Sequence, residues 1–488
     1  MKLLKSAKIF DGENFVEGYS ILVNRGVIED LVPKEDEPYI SKIAEVMDFG
    51  DGIVAPGFID THTHMLNYGI NQETSIEKFE TFKEISEFIK EFISQNDLPY
   101  YIFTDFDESR WKDVKTPTRS DLDKVSEKPI FLRRICGHMG IGNTSFIKLL
   151  SEKVDLNAVK YDAETGIFLE EIPLKIHSIF PYSEDFQEQA LLKAQDIFLK
   201  NGITTIHEIG TYRELRLLQK LRREGKLRIR VRFYISDTTP YNFEYTGIES
   251  GLGDQLLKFQ GLKYFADGSV GSESALFSFP YGRRKSQGLW LLKENIEEEF
   301  KKALELNLQI AIHAIGNLAI KRVLNIIKEI GSGESFRIEH FEFPEDEDIE
   351  KAKNLKVKIS VQPNFIYNWG QENGMYESKL GKFFVRNNPL KKFIKAGLEF
   401  AFGTDAMPPS PIIGIKGVTL HPLCEERLTI EEALKYYTKK CAVLTQEENL
   451  LGEIKRGYLA DLVIVDNNLE EIKATIVNGE VLSCGRNN

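Results

Sequence analysis

The sequence predicts an α/β fold: a (β/α)8, TIM-like barrel with a small β-sandwich domain built from both termini and a large insertion after the first barrel strand. Three observations predict it. Eight short apolar runs, most of them separated by amphipathic helical segments, argue for a closed parallel sheet. Both ends read as β-hairpins with polar turns. One stretch, residues 66–186, breaks the barrel rhythm and is too long for a loop.

In chain order, residues 1–52 contain "AKIFDGENFVEGYSILVNRGVIEDL", a β-meander. A lone hairpin is marginal in water, so this piece is expected to pair with residues 447–488. That segment includes "GYLADLVIVDNNLEEIKATIVNGEVL", with its Asn-Asn and Asn-Gly turn pairs. The first barrel strand lies in "IVAPGFIDTHTHM", residues 53–65. The insertion carries its own helix ("SIEKFETFKEISEFIKEFI") and aromatic-rich strand ("LPYYIFTDFDESRW"). After a barrel strand, such a segment is expected over the C-terminal face, as a lid or a specificity wall. Residues 187–446 then supply the other strands: 203–210, 228–236, 262–267, 308–316, 336–341, 357–364 and 399–406. The helices among them include "YRELRLLQKLRREG", "LAIKRVLNIIKEIG" and "NPLKKFIKAG", which end in Gly as helix C-termini often do.

A chain of 488 residues with 42% hydrophobic and 28% charged content is globular rather than disordered. Its net charge of −12 argues against nucleic acid or an anionic membrane surface as a partner. The sequence holds no apolar run of the roughly 18 residues that a membrane span needs. The start, "MKLLKSAKIFDGENF", reads as a strand rather than a signal peptide. Four scattered cysteines without a CxxC suit a reducing cytoplasm and speak against a cysteine zinc site. The expected partner is a small-molecule substrate, and a homo-oligomer is compatible with the sequence.

The first strand raises the functional question, because it finishes on His62 and His64. In an extended chain, residues i and i+2 face the same side. The bland reading is a pair of hydrogen-bonded histidines at a strand end. The sharper one is half of a metal site, since neutral imidazole is a common ligand. The other strands decide between them: the fifth ends with His313, the sixth with His340 and the eighth with Asp405. Four of only eight histidines therefore fall at C-terminal strand ends, which nothing about folding requires.

The set "PGFIDTHTH", a strand-five His, a strand-six His and a strand-eight Asp resembles the amidohydrolase superfamily of metal-dependent hydrolases. The likeness runs nearly end to end, through "PTRSDLDKV", "FLRRICGHMGIGNTS", "IHAIGNLAI", "LTIEEALKYYT" and "GEIKRGYLADLVIVD". These details are most similar to amidohydrolase family 3, the branch of the N-substituted formamide deformylases. The resemblance implies a hydrolase of C–N bonds using two divalent ions, most simply zinc. It implies that Lys263, in "GLKYFADGSVGS", is carboxylated by CO2 and bridges the ions. His62, His64 and Asp405 would hold one ion, and His313 with His340 the other, while Asp405 also shuttles the proton. The alternative for Lys263 is an ordinary ammonium paired with Asp267.

Further roles follow from the same likeness or from neighbourhood. His138 and Glu170 have counterparts in the branch and are candidate substrate contacts. Trp111, beside Asp107 and Glu108, is a candidate pocket residue, with packing inside the insertion as the rival reading. His207 and Asp267 are expected to support the ligands from behind. His177 and His421 receive no role. Two other functions compete: a mononuclear deaminase, which would lack the bridging lysine, and a non-catalytic relative, which would have lost ligands.

Overall fold

The computed structural model describes residues 1–108, 111–112, 116–135, 139–169 and 171–484. The chain divides into two compact units, Met1–Met65 with Gln195–Asn488, and Leu66–Ala194. Residues 66–194 form one of these units, and the small β portion falls in the same unit as the barrel.

The barrel strands are β1 (Phe58–Thr63), β2 (Ile203–Gly210), β3 (Arg230–Ile235), β4 (Leu257–Phe265), β5 (Gln309–Ala314), β6 (Phe336–His340), β7 (Lys358–Val361) and β8 (Phe400–Phe402). They form one sheet in sequence order, and every neighbouring pair is parallel. These strands are largely buried on both faces, as a sheet covered on both sides requires, with apolar side chains interspersed with buried polar ones such as Arg232, Arg337 and Glu339. The seam between β8 and β1 closes differently. Asp60 on β1 accepts from the backbone N–H of Thr404 at 2.8 Å and from its hydroxyl, and the N–H of Asp405 donates to the carbonyl of His62 at 2.8 Å. Gly403 lets β1 and the segment after β8 approach. A Cβ there would stand 2.7 Å from the backbone nitrogen of His62.

"RIRVRFYI" places three long side chains, Arg230, Arg232 and Tyr234, at alternate positions of β3, and all three are fully buried. Each finds partners, as buried charge demands. Arg230 donates to both carboxylate oxygens of Asp461, at 2.5 and 2.9 Å, and Arg232 does the same to Glu447. Both acceptors come from the C-terminal part of the chain, so these pairs tie that segment to the barrel.

The sandwich is composite, as expected. One sheet runs Val27–Pro33, Tyr19–Asn24, Lys2–Lys5, Glu45–Asp48. The other runs Glu480–Cys484, Ile472–Val477, Leu462–Val465, Ile53–Pro56, Lys8–Phe10, Phe15–Val16. In its middle, Ile53–Pro56 pairs with Leu462–Val465 on one side and Lys8–Phe10 on the other. Leu4, Ile21 and Val23 from the first sheet pack with Val54, Leu462, Ile464 and Ile476 from the second in one buried cluster. Only Gly57 separates Ile53–Pro56 from β1.

The second unit has its own five-stranded sheet, in the order Tyr161–Asp162, Ile167–Leu169, Met139–Gly142, Ile130–Arg134, Tyr101–Phe106. Its helix Phe82–Gln95 starts with a capping box, Thr81 bonding Glu84 reciprocally. The buried face of that helix, Ile85, Ile89 and Phe92, packs on Tyr101 and Phe103 within an aromatic core.

Candidate metal centre

The C-terminal ends of β1, β5, β6 and β8 bring the predicted histidines and Asp405 to one place. His62 and His64 project together from β1, their rings 5.3 Å apart. His340 lies 4.8 Å from His62 and 4.3 Å from His313, ring to ring. Asp405 Oδ1 is 3.6 Å from His62 Nε2 and 3.4 Å from His64 Nε2. The tightest triple is His62, His340 and Asp405, whose ligand atoms all lie within 4.8 Å of one another. His340 therefore stands beside both predicted groups of ligands rather than beside His313 alone.

Two of these side chains need unusual backbone. In a regular strand, Arg337 and Glu339 share a face and His340 would point to the other. His340 instead has φ 73° and Phe341 φ 49°, left-handed values that turn the strand end. Asp405 and Ala406, at 55° and 54°, do the same after β8. Strained backbone of this kind persists where the surrounding structure imposes it, commonly at functional sites.

The hydrogen bonds fix which imidazole nitrogen is available. His62 Nδ1–H donates to Glu339 Oε2 at 2.6 Å, leaving Nε2 with its lone pair. His64 Nδ1–H donates to the carbonyl of Ile209 at 2.9 Å, with the same result. His313 Nε2–H donates to the carbonyl of Gly268 at 3.1 Å, which leaves Nδ1. Burial holds all four histidines far below the usual imidazole range, His64 to about 4 and His313 to about 3. They are neutral at neutral pH, as ligation requires.

Lys263 on β4 is buried, and among the described residues its Nζ has no hydrogen-bond partner. His340 Nδ1 and Asp405 Oδ1 share that condition. Buried polar atoms left unpaired are rare and costly. Neutral imidazoles, a carboxylate and an amine converging this way are a donor set suited to divalent cations, so the residues fit a metal site. Burial depresses the Lys263 ammonium and raises the Asp405 carboxyl. Lys263 is not paired with Asp267. The Asp267 carboxylate is taken by the backbone N–H groups of Leu276, Ile315 and Gly316 at 2.8, 3.0 and 2.9 Å, and it lies 3.5 Å from His313 Nε2.

The other predicted residues fall as follows. His207 on β2 reaches no ligand; its Nδ1 accepts from Arg337 at 2.9 Å. Trp111 is buried in the core of the second unit against Phe82 and Phe106, so packing accounts for it. Asp107 and Glu108 both accept from Arg134. His138 and Glu170 lie outside the described residues. His421 is buried, with hydrogen bonds to Asn387 and Leu423 that occupy both nitrogens.

Sequence reasoning missed four carboxylates and cations around the ligands. Asp60 closes the seam. Glu208 accepts from the N–H of Met65 at 2.6 Å and from the Thr63 hydroxyl, gripping the chain on either side of His64. Glu339 and Arg337 stand behind His62. The available signal was "RIEH": two opposite charges spaced i, i+2 on a strand that has to be buried.

A metal-dependent hydrolase is the class that this barrel and this donor set define. The chain belongs to the Amidohydrolase family, whose profile matches residues 45–483. It is similar to the putative amidohydrolase YtcJ of Bacillus subtilis (strain 168), with 26% identity over 95% of each chain. It is also similar to an N-substituted formamide deformylase of Arthrobacter pascens, at 22% identity over 87% of this chain and 85% of the other. Among solved structures, an uncharacterized metal-dependent hydrolase from Pyrococcus furiosus superposes with a TM-score of 0.84 at 27% identity, covering 96% of this chain and 99% of that one. The chain is accordingly a metal-dependent hydrolase of carbon–nitrogen bonds. Among the described residues, no helix is long and apolar enough to cross a membrane.

Proposed function

We propose that the protein hydrolyses an amide, formamide or related C–N bond of a small molecule, using two divalent ions, zinc in the simplest case. The observation that carries this reading is the convergence of four neutral imidazoles, Asp405 and Lys263, unpartnered among the described residues, at the C-terminal strand ends. His62, His64, His313, His340 and Asp405 would hold the ions, and Lys263, as its CO2-derived carbamate, would add a carboxylate-like ligand to the same site. Burial shifts the Lys263 amine towards its neutral form, the form that adds CO2.

Bound divalent cations supply Lewis acidity at a carbonyl oxygen and lower the pKa of a coordinated water. The chain's own residues do the rest. Asp405 takes a proton from the attacking water and delivers it to the leaving nitrogen, a general base turned general acid. Its left-handed backbone holds the carboxylate against His62 and His64. Glu339 and the Ile209 carbonyl fix the tautomers of those two histidines. The deformylase relative makes formamides the first substrates to try.

The test is direct. Protein purified without chelators is analysed for metal by atomic emission, then assayed against N-formyl, N-acyl and cyclic amides alongside aminopurines and aminopyrimidines. Two metals per chain and turnover confined to the amides are expected. One metal with release of ammonia from the aromatic amines would move the protein to the deaminases, and less than one would favour a binding protein.

A further inference from the structure

A buried chain of charged groups runs from the middle of the barrel to the first histidine. Arg337, on β6 two residues before Glu339, is wholly buried. Its guanidinium donates to the carbonyl of Thr61 on β1 at 3.0 Å, to Tyr234 Oη on β3 at 3.1 Å and to His207 Nδ1 on β2 at 2.9 Å. It also lies 4.4 Å from the centre of the Tyr234 ring. Partners on β1, β2 and β3 for a residue on β6 mean that this side chain crosses the barrel interior. Its fourth partner is Glu339 Oε1, in close contact. The other oxygen of Glu339 receives the Nδ1–H of His62 at 2.6 Å, and neither side chain is exposed.

We infer that Arg337 and Glu339 are positioning residues for the metal centre: the guanidinium, fixed by three strands, holds an ionised Glu339 against His62 Nδ1. That contact sets the imidazole's tautomer and rotation and makes Nε2 a stronger donor. The inference rests on the metal-binding reading above. Its physical basis is general, since a carboxylate behind a ligating histidine raises the ligand's basicity and fixes its orientation. Glu339 is isolated from water, and the guanidinium that the barrel itself holds is the cation in contact with it, with Lys263 acting from further away. His207 gains its role here. Arg337 has no acceptor and can only donate, so His207 Nδ1 accepts and the ring carries its proton on Nε2. His207 therefore orients the guanidinium and does not touch a ligand.

A simple packing role for the pair is the rival explanation, and cobalt separates the two. Metal-stripped wild type and the variants Glu339→Gln, Arg337→Met and Arg337→Met/Glu339→Gln are titrated with Co2+, following affinity and the visible d–d bands. Glu339→Gln keeps an acceptor at His62 Nδ1 but removes the charge. It should weaken Co2+ by about 10–100-fold and shift the bands. The double variant leaves no unpaired buried charge, so it remains informative if either single variant fails to fold. Because Arg337 acts through Glu339, the double variant should match the loss of Glu339→Gln instead of multiplying two losses. Wild-type affinity and spectrum in the folded double variant would overturn the inference while leaving the metal site standing. Absence of Co2+ binding by wild type would overturn the metal reading itself.

Discussion

Replacing Asp405 with Asn removes its capacity for proton transfer while keeping its backbone conformation and an oxygen at the site. The backbone there has φ 55°, a left-handed value that Asn tolerates well, whereas Ala would add strain of roughly 1–2 kcal/mol. The N–H of Asp405 still donates to the His62 carbonyl at 2.8 Å, so the seam between β8 and β1 is kept. Burial already disfavours the ionised carboxyl, and a neutral amide therefore does not destabilise the metal-free fold. His62, His64, His313 and His340 retain their donor nitrogens, and an amide oxygen remains as a weaker ligand. What disappears is a base able to take and return a proton. General acid–base groups contribute about 10²–10⁴-fold, equivalent to roughly 3–5 kcal/mol of barrier. The assay is single-turnover and steady-state hydrolysis of the best amide in the panel, with metal content measured on the same sample. The expected result is kcat lowered by at least about 100-fold, with a melting temperature and metal content close to wild type. Activity within about tenfold of wild type in the fully metallated variant would remove Asp405 from proton transfer.

Lys263→Ala should bring metal content down towards one ion per chain and abolish turnover. Formate, acetate or propionate should restore part of both by bridging the ions. Native mass spectrometry of the wild type showing no added CO2 would refute the carbamate. Gly403→Ala would drive a Cβ to 2.7 Å from the His62 nitrogen and 3.0 Å from Asp60 Oδ1. It should cost about 1–3 kcal/mol in a thermal melt, the range for overpacking, and an unchanged melt would refute the tight seam. Glu273 is held down to about 2 by its bond from Lys379 and by the backbone N–H groups of Arg284 and Arg283. A depressed carboxyl stabilises the fold fully above its unfolded value, near 4.5, and loses that contribution as the pH falls towards 2. Glu273→Gln should flatten the decline in urea midpoint between these limits; an undiminished decline would show that other carboxyls govern it.

Most of the barrel was legible because parallel strands buried on both faces write continuous apolar runs. "ITTIHEIG" was bounded to the residue. The apolar pattern places the fourth strand at 262–267, whereas it spans Leu257–Phe265, since "LKFQG" mixes Lys and Gln into a segment whose partners on β3 are not readable locally. The ligands were legible through topology, each standing at a strand end. Their arrangement was not, because it depends on two reversals of φ, at His340 and Asp405, that no propensity scale encodes. Arg337 and Glu339 went unread for another reason. On a strand they look like a solvated face, and only closure of the barrel makes that face its interior.

The strand Ile53–Pro56 has consequences for how the protein is made. It sits between Lys8–Phe10 and Leu462–Val465, and one glycine later the chain becomes the strand that carries His62. During synthesis, the residues leading into the site emerge early, yet their second neighbour is not translated until some four hundred residues have followed. Until then an apolar edge stays open to other chains, the situation in which strands aggregate. Pairing across so long a separation is also slow, because the loop must close before contacts reward it. Completion of this sheet therefore waits for Leu462–Val465. A chain cut short before residue 462 would leave the lead-in to His62 paired on one side only.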